Sequence, residues 1–114
     1  VEGTVFFQAG GHAVVLWSRE LLAADCGITD DGTPGFSGIA LAHNVRSREE
    51  VDQVMDAAEK AGAEVTKCAA ETFYGGYAGY FRDPDGHAWE VAFNPGFSLD
   101  AVGNLTLPDF GAAS

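Results

Sequence analysis

Tyr80-Phe81-Arg82-Asp83-Pro84-Asp85-Gly86-His87-Ala88-Trp89-Glu90-Val91 is the stretch that decides the fold. Strand formers stand on either side of an Asp-Pro-Asp-Gly centre. Proline sits early in the turn, and Asp-Gly supplies the positive φ that closes a hairpin. Tyr77 to Phe81 is therefore expected to be one strand and His87 to Phe93 the next, ended by Asn94-Pro95. A period of two on the second strand puts Ala88, Glu90 and Ala92 on one face and Trp89, Val91 and Phe93 on the other.

Upstream of this hairpin, Glu64 to Ala69 is predicted as a strand and Glu71 to Gly76 as a turn carrying aromatics. Before them lies the best-signalled helix, from about Ser47 to Ala61. Ser47 and Glu50 have the spacing of a capping box, and Val51, Val54, Met55, Ala58 and Ala61 recur as one apolar stripe. Gly62 supplies the stop. Ser37 to Val45 returns to strand, with Ile39, Leu41, His43 and Val45 on one face and Gly38, Ala40, Ala42 and Asn44 on the other. From Ser37 onward the order is thus strand, helix, strand, strand, strand.

The N-terminal part differs. Thr4 to Gln8, Ala9-Gly10-Gly11 and His12 to Trp17 spell a hairpin. Arg19 to Asp25 is long enough for one helical turn, and Thr29 to Gly35 is a loop with turn formers at Asp30 to Pro34. The tail to Ser114 is expected to be an arm or a fraying end.

Length and composition bound the function. A chain of 114 residues makes one domain. It carries 17 acidic against 6 basic side chains, a net charge of -11, which repels phosphate backbones and argues against nucleic-acid binding. No apolar run approaches a membrane span and no signal peptide opens the chain, so a cytoplasmic protein away from membranes is expected. Cys26 and Cys68 have no metal-ligand spacing and are expected to be reduced, small core residues.

The order of elements and the phrase F-x-D-P-D-G-x-x-x-E resemble the second module of the vicinal oxygen chelate superfamily, the glyoxalase, bleomycin-resistance and extradiol-dioxygenase relatives. Asn44 to Asp52 and Phe73 to Tyr80 look like a common glyoxalase-like bacterial subgroup, and the resemblance covers about residues 4–108. It implies an α+β fold: a βαβββ module preceded by a β-hairpin from an incomplete first module. Residues 1–114 are then one domain, with 1–36 the remnant, 37–96 the complete module and 97–114 a C-terminal arm. The chain starts without Met, and its natural start is expected to be missing.

In metal-dependent members of the family, four side chains line a cavity and hold an ion that chelates two neighbouring substrate oxygens. Carried over, the first ligand position precedes this chain. The second falls on Leu16 or Val15, and the third on Gly38 or Ala40. Glu90 alone matches the fourth. It is accordingly the metal position, of an incomplete site, and the catalytic candidate as a general base whose pKa burial would raise. The competing reading is a structural acid bonded to backbone or arginine.

Phe7, Trp17, Asn44, Tyr77 and Glu90 make up the expected ligand-binding set, with Phe7, Trp17 and Tyr77 the preferred walls among aromatics, Phe73, Tyr74, Tyr80 and Trp89 included, that could line a pocket for a flat ligand. Core and edge packing is the alternative for those aromatics. His43 is expected to pack beneath the helix as a satisfied core residue, whereas His12 and His87, beside turns, are expected to be solvated.

Without its first strand and helix the hairpin would expose apolar surface and an open edge, which predicts a homodimer; a fragment of a longer protein is the competing explanation. The functional expectation is a bleomycin-resistance-like small-molecule-binding protein without a cofactor. A second possibility is a lyase, isomerase or dioxygenase whose Zn, Ni, Fe or Mn site is completed by a partner chain. A third is a dimerising remnant without catalysis.

Overall fold

In the computed structural model residues 3–30 and 36–108 are described. The elements run β1 (Val5–Ala9), β2 (His12–Leu16), α1 (Arg19–Cys26), β3 (Ala40–Asn44), α2 (Arg48–Lys60), β4 (Glu64–Glu71), β5 (Tyr77–Arg82), β6 (Ala88–Phe93), β7 (Ser98–Leu99) and β8 (Leu105–Thr106). The α+β class and the strand–helix–three-strand order follow the expectation. Two compact units form, residues 19–94 and residues 3–18 with 95–108. Asp31 to Gly35 of the expected loop lie outside the described residues, as do 109–114 of the tail.

The larger unit is a four-stranded sheet in the order β3-β6-β5-β4. β6 is its hub. It pairs in parallel with β3 and antiparallel with β5, and β5 pairs antiparallel with β4. The β5–β6 hairpin forms at the Asp-Pro-Asp-Gly turn, with Gly86 at φ 89°. Asp83 locks that turn, because its carboxylate accepts from the Asp85 and His87 backbone N–H groups and from Trp89 Nε1.

α2 packs over β4, β5 and β6. Its stripe meets Val45 and Val91, and Val51 and Val91 are wholly buried. Burying side chains of this size contributes about 1.5–3 kcal/mol each. Gly79 sits beneath Met55: a methyl there would come within 2.9 Å of Met55 Cε. Ser47 Oγ accepts from Glu50 N at 3.1 Å, as a helix cap should. The reciprocal bond differs from the simple capping box, since Glu50 Oε1 accepts from Arg46 N at 3.0 Å, one residue before the cap. At the far end Gly62 takes φ 103° and Ala63 N reaches back to Ala58 O, a Schellman closure.

The smaller unit pairs β1 with β2 around Gly10-Gly11 and β7 with β8. The tail expected as an arm or a fraying end is described through Pro108 and contributes β7 and β8. Its hold comes from Gln8, whose side chain donates to Leu105 O and accepts from Leu107 N, and from Leu105 N donating to Gly11 O. Those long-range bonds have no local sequence signature.

Three further expectations are corrected. α1 runs for 8 residues, two turns rather than one. His43 is exposed, because β3 is an edge strand that α2 does not cover. Cys26 is buried but Cys68, on the edge strand β4, is exposed. Among the described residues no helix is long and apolar enough to cross a membrane.

Urea denaturation tests this account. Met55→Ala should cost about 2–4 kcal/mol through the cavity it leaves, and Ser47→Ala about 1 kcal/mol through the lost cap. Cys68→Ser should stay within about 0.5 kcal/mol of the parent.

Candidate functional site

The pleat of β6 divides the sheet into two faces with different chemistry. Trp89, Val91 and Phe93 join Phe81 and Tyr77 on the side of α2, where the Phe81 and Trp89 rings stack at 6.4 Å. Ala88, Glu90 and Ala92 lie on the other side. Register extends this second face across the sheet. Ala40, Ala42 and Asn44 stand beside Ala88, Glu90 and Ala92, while Ala78 and Tyr80 stand opposite Ala92 and Glu90. Glu90 therefore rises from a floor of alanines, and its one large in-register neighbour is Tyr80.

α1 covers one end of that face. Ala23, Cys26, Ile28 and Phe36 pack against Tyr80 and Ala88, with Ala40 at the margin. Polar bonds tie the helix down: Thr66 Oγ1 donates to Cys26 O at 2.7 Å, and Lys67 Nζ donates to Asp25 O at 3.1 Å. Lys67 pairs in register with Tyr80, so Lys67, Tyr80 and Glu90 form one row across three strands. Into this row α1 lowers Asp25, whose Oδ2 accepts from the Tyr80 hydroxyl and whose Oδ1 lies 3.7 Å from Lys67 Nζ.

The electrostatics follow from this crowding. Burial pushes the Glu90 carboxyl up to about 7; the hydrogen bond from Tyr80 is the main pull against it, the Asp25 charge adds to the rise and Lys67 opposes it least. Burial and the two carboxylates drive the Tyr80 hydroxyl far above its ordinary value, so it stays protonated. Burial likewise raises the Cys26 thiol to about 11, which makes it an inert packing group and no nucleophile.

The other end of the face belongs to the β4–β5 turn. Thr72 closes it by accepting from Gly76 N at 2.9 Å. Gly76 alternates with Ala78 and Tyr80, and a methyl placed on it would come within 2.7 Å of Tyr74 Cε1. The Tyr74 ring thus fills the place of a side chain at Gly76, on the side of Glu90. Burial first and the Glu90 charge second raise its hydroxyl pKa.

Of the residues expected from the sequence, Glu90 and Asn44 share the alanine-floored face. Tyr77 lies on the opposite side: its hydroxyl donates to Asp52 at 2.8 Å and the Arg48 guanidinium covers its ring at 5.4 Å. It serves the packing of α2 and does not join Glu90. Phe7 is half exposed on β1, opposite Val14, and Trp17 is partly buried just after β2; both belong to the smaller unit. Tyr74 and Tyr80 belong to the wider set of aromatics read as able to line a pocket, whereas Asp25 and Lys67 were not among the candidates. The period of two already placed Tyr80 on a known face, but nothing local announces where α1 brings Asp25.

A divalent ion needs several converging donors. Among the described residues, the groups of three or more metal-ligating side chains reduce to Asp83, Asp85 and His87 in the exposed β5–β6 turn, and that group does not include Glu90. Around Glu90 the family's third position is alanine or glycine. The donor set on this face does not fit a tightly held catalytic ion.

A family model, the Glyoxalase/Bleomycin resistance protein/Dioxygenase superfamily, matches residues 3–91. Among solved structures, a glyoxalase-related enzyme from Fulvimarina pelagi is 37% identical, with a TM-score of 0.63, over 92% of this chain and 74% of that one. An NAD-dependent benzaldehyde dehydrogenase from Legionella pneumophila is similar in fold, at 19% identity and a TM-score of 0.60, over 82% of this chain and 74% of that one. A glyoxalase/bleomycin resistance protein/dioxygenase family enzyme from Burkholderia phytofirmans PsJN reaches 22% identity and a TM-score of 0.50, over 82% and 72%. No curated protein matches the chain.

The raised Glu90 pKa carries a sign that can be checked. A carboxyl held above its ordinary 4.5 favours the neutral form in the fold. Its contribution is fully present below the unfolded carboxylate range and is lost as pH rises to about 7. Comparing unfolding free energies of wild type and Glu90→Gln across that window should show wild type losing about 3 kcal/mol relative to the variant. A difference that stays flat with pH would refute the burial argument.

Proposed function

Because the chain belongs to the glyoxalase/bleomycin resistance protein/dioxygenase superfamily, we propose that it is a small-molecule-binding protein whose ligand occupies the Glu90 face without a complete metal site. The observation that carries this reading is a partly buried carboxyl standing on alanines, between a helix bearing a second carboxylate and an aromatic turn. The alanines of this floor, Ala78, Ala88 and Ala92, are themselves buried, so Glu90 is the carboxyl that a group entering this face would meet. A carboxyl rising from such a floor offers hydrogen-bonding and charge to whatever enters. No cofactor is part of this reading. Two unpaired thiols, Cys26 and Cys68, support a reducing, cytoplasmic setting.

The second reading is a lyase, isomerase or dioxygenase, favoured by the glyoxalase-related enzyme at 37% identity. It requires that another chain bring the missing donors to Glu90. The partner proposed here in either case is a second copy of the chain. Val5 and Leu16, then Phe7 and Val14, form neighbouring cross-strand pairs on one side of the hairpin, and each is 49–56% exposed. Such a contiguous apolar face favours association.

Metal analysis of protein purified without chelator decides between the two readings. Wild type and Glu90→Ala should both hold zinc, nickel, iron and manganese far below one ion per chain. A near-stoichiometric ion in wild type that is lost from the variant would overturn the metal-free reading. In sedimentation velocity the chain should run as a dimer and Phe7→Glu as a monomer; a monomeric wild type would sink the association proposal.

A further inference from the structure

We propose that the β5–β6 turn is a surface site for a divalent transition-metal ion, held by the His87 imidazole and the Asp85 and Asp83 carboxylates, with copper(II) its tightest occupant. The site shares no donor with the Glu90 face and does not depend on that face binding anything.

The geometry is fixed by the turn. Asp83, Asp85 and His87 stand at alternate positions, and donor atoms of all three lie within 4.8 Å of one another. Asp83 is the anchor. Its Oδ1 accepts from the Asp85 and His87 backbone N–H groups at 3.0 and 2.9 Å, and its Oδ2 accepts from Trp89 Nε1 at 3.0 Å. A carboxylate has about four lone-pair sites, so one remains on Oδ2 for a further partner. Asp83 N donates to His87 O at 3.0 Å, which holds the backbone of His87 across from Asp83. Transition-metal ions take such donors at about 2 Å, which puts bound donors roughly 3–4 Å apart. Asp85 and His87 are exposed, and small rotations of their side chains close the set.

The donor types choose the ion. Among the described residues no lysine or arginine forms an ion pair with Asp83 or Asp85, and the His87 ring makes no hydrogen bond. The imidazole is the discriminating member of the set. Magnesium and calcium prefer oxygen alone, whereas one nitrogen with two carboxylate oxygens suits copper, nickel and zinc, and copper(II) leads that order of affinity. Three donors at the surface leave the other coordination positions to water, so nickel and zinc exchange freely and wash off during purification. An ion shared by Asp83, Asp85 and His87 binds the closed hairpin better than the unfolded chain, and therefore stabilises the fold.

Copper(II) chloride titrated into the purified chain tests the site, with tryptophan fluorescence as the signal, because Trp89 is bonded to Asp83. One ion per chain should bind with micromolar affinity, quench Trp89 and raise the thermal midpoint. His87→Asn should weaken binding at least about tenfold, and Asp85→Asn several-fold. Magnesium should bind at least about a hundredfold more weakly than copper(II). His12→Asn and His43→Asn, at exposed histidines outside the turn, should bind as wild type does. Asp83 is left in place because its loss would undo the turn, and metal-free midpoints within a few degrees of the parent show that each variant is folded.

Affinity unchanged in His87→Asn, or lost in His12→Asn or His43→Asn, would put the ion elsewhere and overturn the site. Failure of wild type to bind copper(II) at millimolar concentration would do the same.

Discussion

The strict alternation of side chains along β6 is the constraint on which the rest of the molecule depends. β6 is paired on both edges, in parallel with β3 and antiparallel with β5. Its register cannot slip without moving every side chain to the other face. Val91, wholly buried against α2, pins that register. Once Val91 faces the helix, Glu90 must face away, and so must Ala88 and Ala92. A charged residue is carried into a crowded face because its neighbour Val91, about 3.3 Å further along the strand, secures the core on the other side. The Asp83-centred turn sets the same register from the end of the hairpin, through Trp89 Nε1 and two backbone donors.

Much of this was legible in the sequence. The turn at Asp83 to Gly86, the cap at Ser47, the stop at Gly62 and the faces of β3 and β6 all rest on local rules with short reach. The faces expected for Ala40, Ala42 and Asn44 are those observed beside Glu90. Interactions that span tens of residues were not legible. α1 was expected from its composition as one turn, and nothing in Arg19 to Cys26 states that Ala23 and Cys26 will lie on Tyr80 and Ala88. Parity correctly separated His43 from Glu90, but parity does not say how far a helix extends over an edge strand. Tyr77, expected as a wall residue, lies on the α2 side, opposite in parity to Tyr80, and bonds Asp52 there.

The two aromatic groups of the sheet show how position sorts similar residues into different tasks. Phe81, Trp89 and Tyr77 lie on the α2 side, where ring stacking and the Arg48 cover make them part of the core. Tyr80, buried on the other side, spends its hydroxyl between carboxylates. Tyr74 and Phe73 are in the β4–β5 turn, where Tyr74 lies over Gly76 on the side of Glu90 and Phe73 faces solvent. Composition counts these residues alike; the pleat and the turn separate them.

The small residues decide what chemistry the Glu90 face supports. The family's third metal-ligand position falls on Gly38 or Ala40, and register places Ala42 directly beside Glu90. Toward β3 Glu90 meets only methyl groups, and its polar neighbours, the Tyr80 hydroxyl and Asp25, are already engaged with each other and with Lys67.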